Sequence, residues 1–189
     1  MKIYVCATIE SFKAYGAPSD KLGGFVLNKR LFISPKPENT AERIPRLLTH
    51  ELSHLHIEQH IGLLKVGLIP SWFKEGLAVY VAQGGGAETV TAEQARNAIQ
   101  QDKYFQPDTE GSLLFHKGAH DYGLEAHLFY RQASLFVAYL HQLDNAKFKH
   151  FLLAIEDGGT FATAFKNAYA IDIAEAWQGF LAEMKKTHT

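Results

Sequence analysis

The segment RLLTHELSHLHIEQH, residues 46 to 60, gathers four histidines and two glutamates into fifteen positions. Residues four apart on a helix lie on one face, one turn apart, so His50 and His54 can direct two imidazoles at a single ion. Glu51 is rotated from His50 by about 100° on the helix, which sets its carboxylate beside such an ion rather than on it. That is where a base for an activated water belongs. HELSH is therefore the HExxH pattern, and each residue type has a reason: neutral imidazoles suit zinc, and a carboxylate takes the water's proton. His56 and His60 are also four apart, but HIEQH carries its glutamate in the wrong place for HExxH or for the inverted form HxxEH. Both face away from His50 and His54, so surface positions near the helix end are expected, where protonated imidazoles suit the helix dipole.

Two imidazoles need a third protein ligand to hold a tetrahedral ion with one corner open. The segment PSWFKEGLAVYVA offers Glu75, 21 residues after His54. The middle of an apolar segment is a costly place for an unpaired carboxylate, and a zinc ion removes that cost. A salt bridge would remove it too. The expected metal set is His50, His54 and Glu75, holding one zinc ion per chain.

These residues need elements to position them. KIYVCATI (2 to 9) reads as a strand, and GGFVLNKRLFISP (23 to 35) as a hairpin turning around Asn28-Lys29. After the Pro35/Pro37 break, Pro45 fits a first helical turn, and Leu48, Leu52, Leu55 and Ile61 recur near helical spacing. A helix over about 44 to 60 follows. Ser71 is the expected N-cap of the next, buried helix, which Gly84-Gly85-Gly86 stops. Thr91 with Gln94 reads as a capping box for a helix through about residue 101, and 102 to 124 as a long loop with a functional or mobile character. Helices are expected over roughly 125 to 143, 146 to 156, 161 to 169 and 173 to 186, the last with an Asp172/Glu175 capping box. Strands early and helices late predict an α+β class: a small N-terminal sheet packed on the histidine helix, then a helical C-terminal half.

The 189 residues supply enough apolar material for one domain spanning 1 to 189. A net charge of −1 with no long run of either sign gives no electrostatic reason to expect nucleic acid or an anionic membrane as partner. Cys6 alone cannot make an internal disulfide and reads as a small core residue. No apolar run approaches the ~18 residues that cross a bilayer, and the start lacks a secretory apolar stretch, so a cytoplasmic location is expected.

HELSH followed by WFKEGLA resembles the gluzincin metallopeptidases, most closely their aminopeptidase N-like branch, in which a Trp-x-x-Glu-Gly-x-Ala segment follows HExxH. The likeness covers residues 23 to about 140. It implies a compact zincin fold, zinc bound by His50, His54 and Glu75, Glu51 as base and proton shuttle, and a peptide or protein substrate. FYRQASLFVAYL (129 to 140) resembles the branch's Tyr-x-x-Gly-Ala segment, which implies that Tyr130 hydrogen-bonds the developing oxyanion. Tyr122, His120 and His127 are alternatives for that role.

The departures are informative. Thermolysin has an aspartate four residues after its glutamate ligand, and here that position is Val79, so the partner of a zinc histidine must come from elsewhere. The branch's Gly-x-Met-Glu-Asn segment, whose glutamate binds a substrate's free amine, corresponds to GGFVLN (23 to 28), which has no glutamate. Without that anchor, an endopeptidase-like hydrolase is expected, with an extended peptide adding a strand at the hairpin edge. The competing expectation is a zincin-like domain that keeps zinc for stability or partner binding.

Overall fold

The structure is a computed structural model that describes residues 2–20, 22–28, 30–36, 40, 42–112 and 117–186, with the backbone alone at 63 and 64. Lys29 of the expected hairpin turn, Pro37 of the expected break and residues 113–116 of the expected loop lie outside the described residues. The chain runs β1 (Lys2–Val5), α1 (Ile9–Ala14), β2 (Gly24–Leu27), β3 (Arg30–Ile33), α2 (Ile44–Ile61), α3 (Leu63–Val66), α4 (Ser71–Val81) and α5 (Ala92–Gln100). A 3-10 turn at Ala119–Tyr122 precedes α6 (Ala126–Leu143), α7 (Asn145–Glu156), α8 (Phe161–Tyr169) and α9 (Ile173–Met184). This is the α+β arrangement expected, with the small sheet first. Among the described residues, no helix is long and apolar enough to cross a membrane.

The sheet is mixed, in the order β1-β3-β2: β3 is central, parallel to β1 and antiparallel to β2. Its alternation explains the layering. Leu31 and Ile33 point to one face and bury against Leu47 of α2, while Phe32 and Phe25 point to the other and pack with Phe12 of α1 and Cys6. β2 therefore lies at a sheet edge beside α2.

The helical half has its own large core. Trp72 and Phe73 of α4, Phe129 and Phe136 of α6, and Trp177 and Phe180 of α9 are almost wholly buried in one cluster. Each such side chain contributes roughly 1.5–3 kcal/mol relative to exposure. Within this core α4 and α6 meet backbone to backbone, because a Cβ at Gly76 would lie 2.7 Å from the carbonyl carbon and oxygen of Ala133. Glu75 is thereby carried on a helix packed closely against α6.

Several local expectations need correction. The run at 2 to 9 is not one strand, since β1 ends at Val5 and Thr8 caps a short helix through a Thr8/Ser11 capping box. The competing local hydrogen bonds of Thr8 and Ser11 overrode the β-rich composition. α3 was also not anticipated. Ser71 is the first residue of α4 and Pro70 takes the cap position. Asp172 makes no side-chain cap bond, and its carboxylate pairs with Lys166 Nζ at 3.0 Å instead. The Thr91/Gln94 capping box forms as expected.

The α4–α6 contact can be tested directly. Gly76→Ala should lower unfolding stability by ~1–3 kcal/mol through overpacking, although alanine is favoured over glycine in a helix by ~1 kcal/mol. A urea midpoint equal to or above that of the parent would show that the helices have room to part.

Candidate metal centre

α2 and α4 each bring ligand atoms to one point. His50 Nε2 and His54 Nε2 are 3.2 Å apart, and Glu75 Oε2 lies 3.6 Å from the first and 3.7 Å from the second. Metal–ligand bonds of ~2.0–2.2 Å at tetrahedral angles separate donor atoms by about 3.4 Å. The three atoms thus fit one small divalent ion, and they form the one such group of three found among the described residues. All three residues line an open cleft, from which an ion held by them would be reached.

The tautomer of His50 follows from its second hydrogen bond. Nδ1 is 3.1 Å from the carbonyl oxygen of Gly85. A carbonyl only accepts, so Nδ1 carries the proton and Nε2 keeps its lone pair for an ion. Backbone must approach the ring closely for this, and glycine permits it: Gly86 has φ +89°, and a Cβ there would lie 2.5 Å from His50 Nδ1. Arg131 of α6 fixes the same loop, donating from Nε to Val90 O at 2.8 Å and from Nη2 to Ala87 O at 2.9 Å.

Electrostatics agrees with a site that wants a cation. Burial works to raise the Glu75 carboxyl, but His54 and His50 opposite it outweigh that and hold it well below the usual carboxylate range. Burial works to lower the His54 imidazolium, and Glu75 outweighs it in turn, so His54 sits above the ordinary histidine value.

The triad lines a cleft of about 400 Å³ between α2, α4 and the edge strand β2. Glu51 is buried in its wall beside Gly24 of β2, where a Cβ would lie 3.7 Å from Glu51 Oε1. Burial pushes the Glu51 carboxyl up, partly offset by His54 and His50. Tyr130 also lines the cleft, and the charge of Glu75 together with burial pushes its phenol up, so it stays protonated. His127 lines the cleft as well. Its Nδ1 accepts from Thr89 N at 3.3 Å and lies 2.6 Å from Thr89 Oγ1, which leaves Nε2–H as its donor in the neutral ring.

The other aromatic and histidine alternatives are elsewhere. Tyr122 donates to Asp108 Oδ2 at 2.9 Å, and His120 is exposed in the 3-10 turn. Asp108 also accepts from Lys117 at 2.6 Å, while its carbonyl accepts from Trp72 Nε1 at 2.9 Å. The described part of the 102–124 loop is thus pinned to the start of α4, and none of it lines the cleft. His56 and His60 are exposed on the far side of α2, His56 lying 3.8 Å from Glu156.

Sequence reasoning passed over three contributors: the Gly85 carbonyl, the Arg43–Glu88 ion pair at 3.0 Å on the cleft wall, and Lys74. A signal existed for the first. Three consecutive glycines exceed what a helix stop needs, and the surplus is the close approach to His50.

Comparison with curated proteins and with solved structures gives no match. A family model described as the Peptidase MA superfamily matches residues 24–183, a span that starts at β2, includes both ligand-bearing helices and ends in the last turn of α9. By that match the chain belongs to the peptidase MA superfamily, a family of zincin-like metallopeptidases.

Proposed function

We propose that the chain is a gluzincin-type zinc-dependent peptide hydrolase, endopeptidase-like, with His50, His54 and Glu75 as metal ligands. The observation that carries this reading is the convergence of His50 Nε2, His54 Nε2 and Glu75 Oε2 on one point in an open cleft. Two imidazoles and one carboxylate are a borderline-soft donor set that suits zinc over magnesium or calcium. Zinc bound there supplies Lewis acidity, polarising a peptide carbonyl and easing deprotonation of a water.

The chain's own groups do the rest. Glu51 takes the proton of the attacking water and passes it to the leaving amine, and its burial brings the carboxyl closer to the working pH of a general base. Tyr130, kept neutral by Glu75 and by burial, donates its hydroxyl to the carbonyl oxygen as negative charge gathers there. β2 offers its free edge to an extended peptide, so backbone hydrogen bonds align the chain without demanding a sequence. Endopeptidase action is supported by GGFVLN, which runs along this edge without a carboxylate for a substrate amine, and by Glu88, whose carboxylate is taken by Arg43.

Three outcomes are expected. Glu51→Gln retains one zinc per chain by metal analysis and loses at least ~100-fold in kcat on an internally quenched peptide with an acetylated N-terminus. Full turnover in that variant removes the mechanism, and cleavage confined to peptides with a free amine removes the endopeptidase assignment. Tyr130→Phe lowers kcat by ~100- to 1000-fold with little change in KM; if His127→Ala does so instead, the hydrogen bond to the oxyanion belongs to His127. Chelation of the metal lowers Tm in a thermal melt by about 5–10 °C for zinc held near 100 times its Kd. That same shift in a protein which leaves denatured casein intact would assign the zinc to stability.

A further inference from the structure

Two described residues lining the cleft are basic, Arg43 and Lys74, and they differ in what surrounds them. Arg43 is paired, with Nε 3.0 Å from Glu88 Oε1. Lys74 has no described carboxylate within ion-pair distance, and its Nζ donates to one partner, the carbonyl oxygen of Val66 at 3.2 Å. An ammonium has three donors. Glu75, its neighbour in sequence, acts on Lys74 through its charge but makes its close contacts with the two imidazoles, and Glu58 lines the same cleft without a described ion pair to Lys74.

Val66 O already accepts from Ile69 N at 3.2 Å, so the end of α3 does not depend on Lys74 for its hydrogen bond. The lysine is nevertheless drawn into the cleft, half-buried, on the helix that supplies the third metal ligand. A desolvated ammonium with donors to spare, on the wall of a site for an extended chain, is arranged to receive an anionic oxygen.

We propose that Lys74 is a specificity-determining residue that selects peptides presenting a carboxylate to this end of the cleft. The carboxylate is either an Asp or Glu side chain at one fixed position or the peptide's own C-terminus. The inference rests on the peptide-binding reading of the cleft given above. It does not need turnover.

The test uses full-length, zinc-loaded Glu51→Gln protein and labelled peptides of one background sequence that differ by Glu, Gln or Lys at single positions, each as free acid and as C-terminal amide. Fluorescence anisotropy should give about 10- to 100-fold tighter binding for a carboxylate at one position, the range that a charge-assisted hydrogen bond supplies. Loss of the preference on amidation assigns it to the terminus, and its persistence assigns it to the side chain. Adding Lys74→Met should bring the ratio near one, and adding Lys74→Glu should reverse it toward Lys-bearing peptides, a reversal that mere loss of a cap on α3 cannot produce. An unchanged preference in both double variants, or no preference in the parent, overturns the proposal. Carboxylate-selective binding by a wild-type protein that cleaves nothing keeps the subsite and removes the hydrolase reading, whereas cleavage indifferent to charge does the reverse.

Discussion

The rest of the site depends on a half-buried carboxylate set against two imidazoles. Glu75 sits on a helix whose other faces are almost wholly apolar, and its oxygen lies within 3.7 Å of both ring nitrogens. Removing any one of the three leaves either an uncompensated charge or two lone pairs facing each other. A divalent ion placed between them would satisfy all three donors at once.

Holding three donors within a few tenths of an ångström requires helices that cannot drift. Two backbone approaches supply this. At Gly76 the axis of α4 is pressed against α6, so the helix bearing Glu75 and the helix bearing Tyr130 share one rigid contact. At Gly85 and Gly86 the loop after α4 presses on α2, with Cβ positions 2.8 Å from Arg46 and 2.5 Å from His50. The same loop gives His50 its hydrogen-bond acceptor and takes its own anchorage from Arg131. Candidate metal ligand, backbone acceptor and arginine therefore form one chain of support from α2 through the loop to α6.

Much of this was legible because the chemistry is local. His50, Glu51 and His54 belong to one helix, and the four-residue period alone brings the imidazoles together. Glu75 was legible for a different reason: a lone acid within WFKEGLAVYV is hard to place except at a charge. The long helices α6 to α9 were readable from period and stops, and the hairpin from its β-branched runs. What escaped was decided by hydrogen bonds or by tertiary placement. α1 is short enough that one capping box outweighed composition, and Asp172 chose Lys166 over its own helix end. The 102–124 loop had a functional look in sequence, yet Asp108 ties it to Trp72, Lys117 and Tyr122 away from the cleft. Nothing in its residue types announces which face of the molecule it covers.

The cleft lies where two unequal bodies of packing meet. On one side is the large aromatic cluster shared by α4 and α6 to α9, and on the other are the small clusters around Leu31 and Phe32 that hold the sheet. Local opening follows the density of buried apolar contact, so the sheet side is the softer wall and the helical side the stiffer one. Glu75 and Tyr130 belong to helices of the stiff side, α2 with His50 and His54 packs on both sides through Leu47 and Ile57, and the strand edge across the cleft belongs to the soft side. Donors must be set to a fraction of an ångström, whereas an extended chain pairing with a strand edge tolerates and even uses some give. On the proposed peptide-binding reading, the division of the core between the two walls separates the donors, which must be set closely, from the strand edge, which would accept varied backbones.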